Sequence, residues 1–118
     1  MSEYAAFVMA MLKSGEQMLE EMSAEDAELL HAGVLIAGES AELLDAIKKT
    51  VIYKKPIDRE NIIEELGDIE FSLEVIRTLL VIDRKETIDQ NIKKLMKRRP
   101  SGSYNNEDSI RRLDKEET

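Results

Sequence analysis

Apolar residues recur at intervals of three and four through most of this chain, the spacing that keeps side chains on one face of a helix. Between residues 2 and 22, Ala5, Val8, Met9, Leu12, Leu19 and Met22 share such a face and predict a first helix. Ser23-Ala-Glu-Asp26 has capping-box spacing, in which serine and acid satisfy each other's free N–H groups. A second helix starts there and runs to about Thr50. Pro56 and the β-branched residues between Val51 and Asp58 break it. Asp58 can cap a third helix, from Arg59 to about Val81, with Ile62, Leu66, Ile69, Leu73, Ile76 and Leu80 in one stripe. A turn near Asp83 leads to a fourth helix, about Lys85 to Arg98, which Pro100 and Gly102 end. The polar remainder holds one short helix around Glu107 to Leu113.

Four amphipathic helices with short connections predict an all-α fold, an antiparallel four-helix bundle. A helical domain covers residues 1–99 and a polar tail covers 100–118. The second helix is apolar nearly all round. In so small a domain that predicts a second subunit covering part of it.

Composition narrows the picture. A chain of 118 residues suffices for one domain with one modest core. No uncharged apolar run approaches the roughly 18 residues of a membrane span. The apolar start of the chain is interrupted by Lys13 and is not read as a signal peptide. With no cysteine, disulfides and thiolate metal sites are excluded, which fits a cytoplasmic location. A formal charge of −8 argues against non-specific nucleic-acid binding. Basic residues gather at Lys48–Lys49, Lys54–Lys55 and Lys93 to Arg99, around acids concentrated between Glu16 and Glu74. Such a layout suits a metal-bound anionic ligand; solvated helix faces are the plainer alternative.

Two acidic pairs stand apart by their setting. Glu39 and Glu42, like Glu65 and Asp68, are spaced i, i+3, so each pair leaves its helix on one side. Glu25/Glu28 and Asp83/Glu86 share the spacing but lie in polar segments and read as solvated. Between Leu29 and Ala41, in contrast, Glu39 is the only full charge. If the second and third helices pack antiparallel, the two apolar-flanked pairs face each other. Close carboxylates repel by roughly 4 kcal/mol per pair at an effective dielectric of about 20. Oxygen-seeking divalent cations relieve that best. Gly38 and Gly67 each weaken a helix interior by about 1 kcal/mol, which implies room for a ligand or a close helix crossing. A magnesium ion so held keeps positions for water and phosphate oxygens, pointing to phosphoryl chemistry. His31 is the only histidine. Glu28-Leu-Leu-His31 matches one arm of a di-iron bundle, but the second histidine is missing, so a hydrogen-bonded structural role is the main reading, with a substrate contact as the alternative.

"GESAELLDAIKK" followed by "EELGDIEF" resembles the all-α nucleoside triphosphate pyrophosphohydrolases of the MazG-like group, relatives of dimeric dUTPases and phosphoribosyl-ATP pyrophosphatases. The shared mark is ExxE, a spacer and ExxD: here Glu39 with Glu42, then Glu65 with Asp68. The resemblance extends from about His31 to Arg112, through "NIKKLMKRRPSGSYNNEDSIRR". It implies hydrolysis of the α–β bond of a nucleotide to a monophosphate and pyrophosphate, with Mg²⁺ or Mn²⁺ as its substitute. Glu39, Glu42, Glu65 and Asp68 would be the metal ligands, and Glu39 would also orient or deprotonate the attacking water. Lys55, Asn91, Lys94 and Arg98 or Arg99 would reach phosphates or base. Many relatives carry Trp and Tyr after the Gly-Asp pair, where this chain has Glu70, Phe71 and Ser72. Stacking on a base then falls to Phe71, Tyr53 or Tyr104. The resemblance also implies a homodimer or homotetramer. Two further readings stand beside it: a helical interaction module with an acidic face, and an inactive protein that keeps the family's bundle.

Overall fold

The computed structural model describes residues 1 to 116, and every regular element among them is a helix. In chain order these are α1 (Glu3–Met11), α2 (Gly15–Glu21), α3 (Ala24–Val51), α4 (Arg59–Leu80), α5 (Arg84–Arg98), α6 (Asn106–Arg111) and α7 (Leu113–Glu116). Among the described residues, no helix is long and apolar enough to cross a membrane. The chain forms two compact units, Met1–Val75 and Ile76–Thr118, the division falling within α4.

Caps set most of the boundaries. Ser23 Oγ accepts from the Asp26 N–H and Asp26 Oδ2 accepts from the Ser23 N–H, both at 3.0 Å, so the capping box opens α3 where the sequence predicts it. Asp58 Oδ1 accepts from the Asn61 N–H at 3.1 Å and starts α4. Asp83 is the N-cap of α5. Lys48 and Lys49 sit in the last turn of α3, where cations complement the helix dipole.

The predicted first helix is two helices. Leu12 leaves helical geometry at ψ 134°, and Ser14 then caps α2 by accepting from the Gln17 N–H at 3.1 Å. A serine three residues before a willing N–H offers the backbone an alternative to continuing the helix, and apolar periodicity does not register that competition. Lys13, in the break, pairs with Glu21. The short helix predicted in the tail is likewise two, α6 and α7, divided at Arg112, whose φ of 54° is left-handed. Both pack on α5 in the second unit.

In the first unit the buried stripe of α3 runs through Ala32, Leu35, Ile36, Glu39, Leu43 and Ala46, and that of α4 through Ile62, Glu65, Ile69, Ser72 and Leu73. Among the described residues only Ala32, Ala46 and Ser72 are fully buried, Ser72 at 1 % exposure. Leu35, Ile36 and Leu43 of α3 and Ile62, Ile69 and Leu73 of α4 are partly covered. A second apolar stripe on α3, with Val34 60 % and Leu44 64 % exposed, faces away from the first, as does a stripe on α4 carrying Ile63 and Phe71.

Candidate metal centre

Glu39 and Glu42 of α3 and Glu65 of α4 bring one carboxylate oxygen each within 4.8 Å of one another. The helices place them there for a simple reason. Glu65 lies within about 40° of Ile69, Ser72 and Ile76 around the wheel, so it points along the buried face of α4 rather than its edge. Glu39 falls on the stripe that carries Ala32, Ala46 and the half-buried Leu35 and Leu43. Glu42, one turn on, is exposed and leans on the same group from its outer side.

Crowding leaves a clear electrostatic mark. The adjoining Glu39 carboxylate, then loss of hydration, then the charge of Glu42 push the Glu65 carboxyl from its ordinary 4.5 up to about 7. One oxygen of Glu39 and one of Glu65, both Oε2, are shielded from solvent and accept no hydrogen bond. Native structures rarely leave such atoms without a donor or a cation. Carboxylate oxygens with no donor, drawn together despite their repulsion, are the ligand set a hard divalent cation prefers. The residues therefore fit a metal ion.

A cavity of about 450 Å³ opens beside the cluster, lined by Ala41, Glu42, Asp45, Lys49, Asn61 and Glu65. Ala41, Glu42, Asp45 and Lys49 come from α3, Asn61 and Glu65 from α4. Lys49 Nζ lies 3.2 Å from Asp45. The cavity adds Asn61, Asp45 and Lys49 to the site. Asn61 was detectable in principle: it stands four residues before Glu65, hence on the same face.

Asp68 lies outside the group of three and is exposed. Lys55, in the loop between α3 and α4, is exposed, and its backbone N–H donates to the Lys49 carbonyl at 3.1 Å. Asn91 and Lys94 are exposed on α5, on one face with Arg98. The two candidate arginines differ. Arg99 Nη1 donates to the Asn105 carbonyl at 3.3 Å, Nη2 donates to Ser109 Oγ at 2.9 Å, and the guanidinium lies 4.4 Å from the centre of the Tyr104 ring. Arg99 and Tyr104 thus tie the tail to α5. Arg98 keeps a shielded Nε without a partner. His31 is exposed on α3 and stands outside the acidic group.

The glycines yield a physical distinction. A Cβ built on Gly38 or Gly67 meets nothing within 4 Å, so no close helix crossing among the described residues explains either. Gly67 sits about 200° round α4 from Glu65, on the outward stripe with Ile63 and Phe71 rather than beside the carboxylates.

The fold and this cluster define an all-α protein with a carboxylate centre that can hold a metal ion. The family model for the MazG nucleotide pyrophosphohydrolase domain matches residues 29–103, from the buried stripe of α3 to the loop after α5, and the chain belongs to that family. Searches of the curated proteins and of the solved structures returned no match. Membership agrees with the ExxE and ExxD resemblance and places the chain, at family level, among the nucleotide-cleaving hydrolases.

Proposed function

We propose that this chain hydrolyses the α–β phosphate bond of a nucleoside triphosphate or related nucleotide, releasing a monophosphate and pyrophosphate, with Mg²⁺ as its natural cation. The observation that carries the reading is the meeting of Glu39, Glu42 and Glu65 within 4.8 Å, with two shielded oxygens unpartnered. Asp68 would be the fourth ligand of that ion. A bound divalent cation supplies charge neutralisation at phosphate and a more acidic water. Glu39, on the buried stripe of α3, would orient the attacking water or accept its proton. Glu42 and Glu65 hold their oxygens in fixed positions, and Glu65 must lose its proton before it can do so. Lys55, Asn91, Lys94 and Arg98 neutralise and orient phosphates. Arg98 is favoured over Arg99 because Arg99 is already committed to Asn105, Ser109 and Tyr104.

The active form is a homo-oligomer, a dimer or a dimer of dimers. The outward apolar stripes of α3 and α4 support this, since helices apolar on two sides need cover on both.

The test is a panel of nucleotides incubated with purified protein, with and without Mg²⁺, read as pyrophosphate released. Magnesium-dependent release from at least one nucleotide is expected. No release from any, together with no rise in melting temperature on adding Mg²⁺, would leave a helical interaction module as the better reading.

A further inference from the structure

The second unit carries a cavity of about 180 Å³ that the metal centre does not use. Gln90, Lys93, Lys94 and Lys97 line it from α5, and Asp114 lines it from α7. On α5 these four residues are spaced three and four apart and form one face. Asp114 is set deep: its side chain is 4 % exposed. Among the described residues its Oδ1 is shielded and accepts no hydrogen bond, and Arg112 Nε lies 3.7 Å from it, beyond hydrogen-bond reach. A buried carboxylate in a lysine-lined cavity, holding no hydrogen bond at one oxygen, occupies the place of an anion without fitting it well.

The segment that delivers Asp114 is built to be displaced. α7 has four residues and is joined to α6 through Arg112 at φ 54°, a left-handed backbone that disfavours any residue with a Cβ. What keeps α7 in place is its packing on α5.

We propose that the lysine face of α5 is a binding site for a phosphate-bearing anion, with Asp114 as an internal competitor that the ligand must expel. The C-terminal turn then acts as a strap, closed over α5 when the anion is absent and lifted when it binds. Free polyphosphate and the phosphate chain of a nucleotide share the chemistry that this face recognises. Through Lys94 the inference touches the phosphate-binding face proposed above, so its test reads binding rather than turnover and the two can fail separately.

The probe is inorganic pyrophosphate, titrated by calorimetry into the full chain in chelator at low ionic strength. Asp114→Asn removes the competing charge and keeps the shape. It should bind about fivefold more tightly than the parent, the scale of one close charge pair screened by water. Adding Lys93→Gln and Lys97→Gln to that variant should abolish the gain, and raised salt should weaken all binding. A nucleoside triphosphate in place of pyrophosphate distinguishes the two sources by relative affinity. Equal affinity of parent and Asp114→Asn overturns the proposal, as does a gain that survives loss of both lysines. Amide exchange guards against a variant that fails to fold. In the parent protein, saturating pyrophosphate should speed exchange across residues 112–116, and unchanged exchange there also overturns it.

Discussion

Glu39 and Glu65 occupy positions that the helical repeat reserves for apolar side chains. Each sits on the buried stripe of its helix, and each keeps a shielded oxygen without a donor. Such placement destabilises the chain on its own and becomes favourable when a cation is shared. Two consequences follow at this scale. Glu39→Gln preserves shape and removes the charge. Pyrophosphate release should fall by about a hundredfold or more, the usual contribution of a positioned acid or base, while the circular dichroism spectrum and melting curve stay close to the parent. Parental turnover in that variant would remove Glu39 from its assigned role. The second consequence concerns pH. The fold raises the Glu65 carboxyl from 4.5 to about 7, so the folded state favours the protonated form. Its stabilising contribution is full below pH 4.5 and is lost as pH rises through 7. In chelator, melting temperature should therefore decline between pH 5 and pH 8, and Glu65→Gln should flatten that decline. Added Mg²⁺ should raise the melting temperature more at pH 8 than at pH 5, because the ion needs the ionised carboxylate. A parent and a Glu65→Gln variant with the same slope would show that the crowding is absent in solution.

Helix ends in this chain are written in single polar side chains. The Ser23–Asp26 box opens α3, and Asp58 and Asp83 open the two helices that follow, all where the sequence predicts starts. The same chemistry explains the divided first helix. Ser14 is as good a cap as Ser23, but it stands inside an apolar pattern that ran through it. Local hydrogen bonding outweighed periodicity because α1 and α2 have no buried residue to reward a continuous helix. Ser23→Ala should cost about 1 kcal/mol, read from the denaturant midpoint, since it removes one half of a reciprocal cap on the longest helix. An unchanged midpoint would mean that α3 is held by packing alone. Arg112 marks the other local departure. Its left-handed backbone splits the tail into α6 and α7, and no helix-breaking residue announces it: neither glycine nor proline lies between Asn105 and Lys115.

On the scale of the molecule, the buried residues described in the first unit are small ones, Ala32, Ala46 and Ser72, and its large apolar residues are partly covered or exposed. Ile63 is 56 % and Phe71 65 % exposed on one outward stripe of α4, with Gly67 between them. A helix with apolar residues on opposite sides is stable where another surface covers the second side. Open space around the missing Cβ of Gly67 fits close approach by a second copy of the chain. Sedimentation of the purified protein should show a dimer or tetramer, and dilution should lower its melting temperature. Phe71→Glu should shift the population toward monomer while leaving helix content unchanged. Gly67→Ala should weaken association too. An isolated α4 would instead gain about 1 kcal/mol of helix propensity from that change. A more stable protein with unchanged association would place the second copy elsewhere.

The all-helical class, the helix starts at Ser23, Asp58 and Asp83 and the candidacy of Glu39, Glu42 and Glu65 were readable from the chain, because caps, helical period and charge in an apolar setting are local properties. The spacing of Glu65 and Asp68 predicts that both leave α4 on one side toward the other pair; the fold brings Glu65 into the group, in line with Ile69 and Ser72, and leaves Asp68 outside and exposed. No local signal sets the rotation of α4 about its own axis. That is decided by the tertiary structure, which buries Ala32 and Ala46 of α3 and Ser72 of α4. The division of labour between Arg98 and Arg99, and the burial of Asp114 among lysines, were likewise decided only when the tail folded back on α5. Adjacent residues of one chemical type are equivalent in a sequence and become different when one of them finds a partner ten residues away.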